Sequence, residues 1–291
     1  MTMSLRPTVA LQAIAVLLEL TTLVSVPESR QPDAAVASNP IVSLQFDDAS
    51  GVIWKATASS IAVSVNEGRT WQPVRLPASA QGNISSLTIS AGVAKMVYVA
   101  VARSGVLRSQ DDGRTWVAYR RGLPKSDVIA LAAHSTQPRT VFAYVARIGF
   151  FHSTNAGVTW QFLNQGPTEP LVQFAHSNMP SKNGTGWLIA ATSKGVRRAM
   201  ICHCKWESAG QLPLSIGVVA NDVVLPARVY AAARDGFFIS PDGGNHWIRM
   251  QSPVAPITAL ESTSSGRLYG AINGRLIRSK NRGVTWEFTA E

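Results

Sequence analysis

Ser109-Gln110-Asp111-Asp112-Gly113-Arg114-Thr115-Trp116 decides the fold, because the stretch recurs along the chain. The pattern S-x-[DN]-x-G-x-x-W returns at Ser64, Asn66, Gly68 and Trp71, and again at Ser153, Asn155, Gly157 and Trp160. It stands twice more, at Ser240, Asp242, Gly244 and Trp247 and at Ser279, Asn281, Gly283 and Trp286. A degenerate copy, residues 199–206 (AMICHCKW), fills the one gap and ends at Trp206. Successive tryptophans lie 45, 44, 46, 41 and 39 residues apart. A period in the range of roughly 20 to 50 residues marks stacked supersecondary units.

The pattern suits a tight strand-to-strand turn. The Asp or Asn side chain accepts hydrogen bonds from backbone N–H groups just ahead. Gly takes a positive φ that other residues reach only at a cost. The Trp lays its ring beneath the turn, with an N–H able to find a partner there. Asn serves as well as Asp, so the motif is fold chemistry rather than catalysis.

Around each copy the chain alternates apolar and polar residues in short runs, the period of strands. One unit divides into strands at 84–90, 95–102, 105–109 and 115–119. Four strands can be drawn in the same way for 41–74, 128–163, 171–209, 216–250 and 257–289. An aromatic recurs in each second strand, at Trp54, Tyr98, Phe142, Trp187, Tyr230 and Tyr269, and reads as core. Four-stranded units of about 40 residues are propeller blades. The expectation is an all-β, six-bladed β-propeller of four-stranded antiparallel blades, with no strand exchanged between its termini.

The motif resembles the Asp-box (BNR) repeat family. That family includes sialidases, xyloglucan-cleaving hydrolases, sortilin-type receptors and the propeller assembly and stability factors of photosystem II. Six blades match sialidases better than the assembly factors, which usually have seven. Small size, a leader segment and an arginine-bearing face point toward the assembly-factor branch.

The 291 residues carry 27 Lys and Arg against 17 Asp and Glu, a net charge of +10, yet only 15% are charged. Apolar content of 46% excludes intrinsic disorder. The single long apolar run, residues 8–26, excludes a multi-span membrane protein. Arg6 precedes that run, and residues 35–37 (AVA) offer a cleavage site, the order of a secretory signal. Residues 1–40 read as a signal peptide or membrane anchor followed by a proline-containing tether. Residues 41–291 are then an extracytoplasmic propeller. The propeller alone holds 25 bases against 14 acids, or +11, so the charge belongs to the folded part.

Basic residues gather in the turns between second and third strands, where Arg103, Arg147 and Arg234 each stand six residues before a motif Ser. Arg120, Arg121 and Lys125 follow in the connection between blades 2 and 3. Guanidinium forks suit carboxylates, so these six residues are the candidate site for an acidic protein or membrane-protein partner. The bland alternative is that each arginine braces its own turn. A sialidase would need a tyrosine nucleophile with an acid beside it; Tyr119 is the tyrosine not claimed by a core strand, and Asp127, Glu169 and Asp235 are the acids available. No catalytic residue is assigned, and no cofactor or metal is expected. Cys202 and Cys204 flank His203 in the degenerate turn and read either as a short disulfide or as a metal or reactive-thiol site. The reading is a non-catalytic, monomeric binding scaffold. A sialidase-like hydrolase or a glycan-binding module is the alternative, and nucleic acid is not expected as a partner.

Overall fold

Twenty-four strands and no helix make up the described part of a computed structural model, which covers residues 1, 39–80, 82–92, 95–182, 184–201, 205–212, 214–251, 253 and 256–289. The chain divides into residues 1–37 and 38–291, and every strand belongs to the second unit. The expected leader, and the Cys202-His203-Cys204 segment, lie outside the described residues.

Blade 1 comprises β1 (Ile41–Asp47), β2 (Val52–Thr57), β3 (Ile61–Ser64) and β4 (Gln72–Val74). Blade 2 comprises β5 (Ile84–Ile89), β6 (Val97–Val101), β7 (Gly105–Ser109) and β8 (Val117–Tyr119). Blade 3 runs through β9 (Val128–Ala133), β10 (Val141–Val145), β11 (Gly149–Ser153) and β12 (Gln161–Asn164). Blade 4 holds β13 (Leu171–Ser177), β14 (Trp187–Thr192), β15 (Gly195–Met200) and β16 (Glu207–Ser208). Blade 5 holds β17 (Ile216–Asn221), β18 (Val229–Ala233), β19 (Gly236–Ser240) and β20 (Ile248–Met250). Blade 6 ends the ring with β21 (Ala259–Ser262), β22 (Leu268–Ile272), β23 (Arg275–Ser279) and β24 (Glu287–Phe288). Each sheet keeps its strands in chain order and pairs them antiparallel. The molecule is a six-bladed β-propeller, and among the described residues each blade takes its four strands from one continuous stretch of chain.

Second strands are apolar without alternation because a neighbouring blade covers each face. β6, β10, β18 and β22 are buried at every position. Each seam between blades has its own hydrophobic cluster, six in all. The seam of blades 6 and 1 is one of them, formed by Ile41, Leu44 and Ile53 against Tyr269, Ala271 and Leu276. Ring closure therefore rests on side-chain packing. The expected aromatic row holds for five residues, each at most 1% exposed. Trp187 departs: it is partly exposed and donates its indole N–H to Pro180 O at 3.0 Å.

All five full motif copies form one turn, but its centre is the serine rather than the Asp or Asn. The serine Oγ accepts from the glycine amide at 2.8–2.9 Å and donates to the Asp or Asn Oδ1. That Oδ1 accepts the amide of the residue before Trp at 2.8–2.9 Å. In all five copies the residue before the motif Gly is also left-handed: Glu67, Asp112, Ala156 and Arg282 have φ of 55–62°, and Gly243 has 72°. The rings of Trp71, Trp116, Trp160 and Trp247 lie on their motif glycines, but the N–H groups of the motif tryptophans fare unequally. Trp116, Trp206 and Trp247 donate to Gly113 O, Asn164 Oδ1 and Ala209 O. Those of Trp160 and Trp286 have no partner among the described residues.

Three arginines carry these turns across seams. Arg108 donates to Ala156 O at 2.7 Å, and Arg198 to Gly243 O at 2.7 Å; Arg278 pairs with Glu67. They occupy equivalent places in blades 2, 4 and 6, each clamping the motif turn of the next blade. Val63, His152 and Ile239 hold that place in the odd blades.

Candidate functional site

Strand direction gives every blade two ends. Turns between first and second strands, and the motif turns, leave at one; turns between second and third strands leave at the other. Arg103, Arg147 and Arg234 occupy this second end, between β6 and β7, β10 and β11, and β18 and β19. Arg103 and Arg147 are left-handed, with φ of 64° and 63°. These turns close through backbone bonds, Ser104 N to Val101 O and Ile148 N to Val145 O, and Asp127 Oδ1 accepts the Arg103 amide at 3.0 Å. All three side chains are exposed, and none has a hydrogen bond or ion pair among the described residues. The guanidiniums do not brace their turns.

Bracing falls to arginines further along. A methyl group at Gly105 would come within 3.1 Å of Arg120 Cγ and Nε, so Arg120 lies across the turn that bears Arg103. Arg249 does the same in blade 5, donating to Asp235 O at 2.6 Å. Arg121 goes elsewhere: its carbonyl accepts from Trp160 N at 2.9 Å, against the outer edge of blade 3. The exposed Lys125 completes that connection. The connection thus carries Arg120 over a second-to-third turn and the Arg121 backbone onto blade 3.

A channel of about 800 Å³ runs through the middle, lined by the first strands of all six blades. A first strand is an edge strand there, with backbone groups facing the channel. Neighbouring blades cap many of them. Ser43 Oγ bonds Leu87 N and O, Gln45 Oε1 accepts from Ile89 N, Ser86 Oγ from Leu131 N, Thr88 Oγ1 from Ala133 N, and Gln173 Oε1 from Val219 N. Sequence reading missed this belt; its signal was polar residues within otherwise apolar first strands.

Near the motif end, Gln45 Nε2 donates to Glu261 Oε2 at 3.0 Å. Burial pushes the Glu261 carboxyl well above the usual carboxylate range, and the charge of Asp48 adds to it. His134 and His176 pack together across the seam of blades 3 and 4, their rings tilted by 31° with centroids 3.8 Å apart. His176 Nδ1 accepts from Ser135 N, and its Nε2 faces Thr185 O, an arrangement for the neutral ring. Burial first, and His134 second, hold its pKa down to about 3.

Of the groups considered for sialidase chemistry, the tyrosine and one acid are held by arginines, while the Asp235 side chain is exposed. Tyr119 Oη accepts from Arg108 Nη2 at 2.7 Å, and Glu169 pairs with Arg197. Among the described residues no group of three or more His, Cys, Asp and Glu is placed to hold a metal ion.

No known family model matches the chain, and no curated protein matches it in sequence. Solved structures match in fold. YCF48 from Cyanidioschyzon merolae superposes with a TM-score of 0.61 at 15% identity, over 87% of this chain and 86% of that one. YCF48 bound to D1 peptide gives 0.57 at 17% identity, over 87% and 83%. A GH74 enzyme of Niastella koreensis gives 0.62 at 13% identity, over 86% of this chain and 48% of the enzyme. What is shared is the propeller. The chain spans about half the length of that GH74 enzyme and most of the length of YCF48.

Proposed function

We propose that this chain is a non-catalytic propeller that binds an acidic protein partner through the arginine-bearing end of its blades. We read the motif turns as Asp-box (BNR) repeats and the branch as that of the assembly factors. The observation that carries the reading is the trio Arg103, Arg147 and Arg234. They are exposed and without side-chain partners among the described residues, and the turns of Arg103 and Arg147 close through backbone bonds. Unpaired guanidiniums gain most from a carboxylate brought by a partner. The near full-length fold likeness to a propeller that carries a bound D1 peptide supports a protein ligand. We take residues 8–26 to deliver the monomeric propeller outside the cytoplasm.

Binding of fluorescein-labelled acidic peptides tests this. The expected result is binding that weakens steeply with salt and is lost in Arg103→Glu/Arg147→Glu/Arg234→Glu. Retained binding in that variant refutes the assignment. The fold likeness to GH74 enzymes favours glycan hydrolysis as the second reading, and turnover of a sialoside or of xyloglucan by the purified protein would establish it instead.

A further inference from the structure

Five first strands carry a bulge at their second residue, with the ladder register skipping Val42, Ser85, Ile129, Val172 and Gly217. In blade 6 the corresponding place, just ahead of β21, is held by Thr258, whose amide bonds Ala271 O. A bulged residue leaves the ladder and its side chain is re-aimed, a device frequent beside binding sites. All six residues line the channel, at the end where the second-to-third turns leave.

This collar is uncharged. Its two hydroxyls are turned into the wall, Ser85 Oγ to Val128 O at 2.7 Å and Thr258 Oγ1 to Ile41 O at 2.9 Å. The side chains that remain to line the channel there, Val42, Ile129 and Val172, are hydrocarbon. Val42 and Val172 are 37% and 46% exposed, and they belong to blades 1 and 4, on opposite sides of the ring. Exposed valines repeated at a bulge position, at the same end of the blades as the unpaired guanidiniums, offer an apolar seat inside a charged rim. Protein-binding sites concentrate affinity in that arrangement.

We propose that the collar seats one aliphatic side chain of the acidic partner, while Arg103, Arg147 and Arg234 hold carboxylates around it. The proposal rests on the acidic-partner reading and adds a requirement to it. A polyanion alone satisfies the arginines; only a peptide carrying an apolar anchor fills the collar.

Two fluorescein-labelled ten-residue peptides of glutamate and glycine, one with a central leucine and one with serine in its place, test this by anisotropy. The leucine peptide should bind about 10- to 30-fold tighter, the scale of burying one such side chain. Gly217→Phe should abolish that preference and leave the serine peptide unaffected. Gly217 does not need a positive φ, and a Cβ there would meet only Ala232 O at 3.8 Å, so a ring can enter the channel without backbone strain. If Gly217→Phe melts early, the uncharged Val172→Asn at an exposed position carries the same test. Equal binding of the two peptides, lost on arginine reversal, overturns the collar and keeps the acidic-partner reading. A preference for leucine that survives both collar variants also overturns it. A DNA oligonucleotide of equal charge binding as tightly as the leucine peptide assigns the end to polyanions and refutes the collar. No binding of either peptide refutes both proposals.

Discussion

The motif end and the collar end of this propeller use charge in opposite ways. At the motif end ions are spent inside the molecule. Lys95 lies 2.6 Å from both Asp47 and Asp112, Arg278 is shared by Glu67 and Glu287, and Arg282 meets Asp222. At the collar end Arg103, Arg147 and Arg234 have no such partners among the described residues. One end ties neighbouring blades together, and the other, the Arg197–Glu169 pair apart, keeps guanidiniums available.

Substitutions can break that contrast or sharpen it. Gly113→Ala should have the largest effect. Gly113 has a φ of 81°, and a Cβ there would sit 2.6 Å from Val74 of the preceding blade. Left-handed strain and overpacking together should cost about 2–4 kcal/mol in urea unfolding, with peptide binding by the folded fraction intact.

Acid comes next. The folded-state pKa of His176 lies below its unfolded value of about 6.5, so its contribution is complete above that pH. It is lost as pH falls toward the folded value of about 3. Thermal melts from pH 7 to 4.5 should therefore lose up to about 1.4 kcal/mol per pH unit for this group. His176→Gln should flatten that slope.

Arg278→Met should cost about 1–2 kcal/mol by urea unfolding. The side chain is mostly buried, and its loss leaves Glu67 and Glu287 short of a partner, between the surface and buried limits for ion pairs. Glu261→Gln should act in the other direction. A carboxyl with a raised folded pKa gives its stability below the unfolded value and loses it as pH rises. The amide should therefore stabilise the protein at pH 7 by about 1 kcal/mol, the scale of one buried polar group, with no gain at pH 3. Arg103→Ala should be the smallest, within about 0.5 kcal/mol of wild type, while weakening acidic-peptide binding. A large stability loss there would erase the distinction between the two ends.

Much of this was legible in the sequence. The serine-to-tryptophan spacing gave six units, and strand limits such as 41–74 and 216–250 coincide with blades 1 and 5. Local chemistry explains that success: each motif is one self-contained turn. Within the turn the serine was undervalued, because its role as hub appears only when Oγ is seen between Gly68 N and Asn66 Oδ1. The candidate site was legible in part. Residues in short hairpins, such as Arg103, fall where hairpin topology demands. The setting of Arg121 was not legible, because its carbonyl takes the Trp160 amide of blade 3, a partner set by two blades packing together.

By itself the sequence determined the blade, since turn geometry, strand period and the apolar second strand all lie within about 40 contiguous residues. The tertiary structure decided what arises between blades. The collar, the Gln45–Glu261 contact and the arginine clamps of alternate blades join residues about 40 to more than 200 positions apart. Such pairs leave no periodic trace in one chain, because each is fixed by the closing of the ring rather than by its neighbours in sequence.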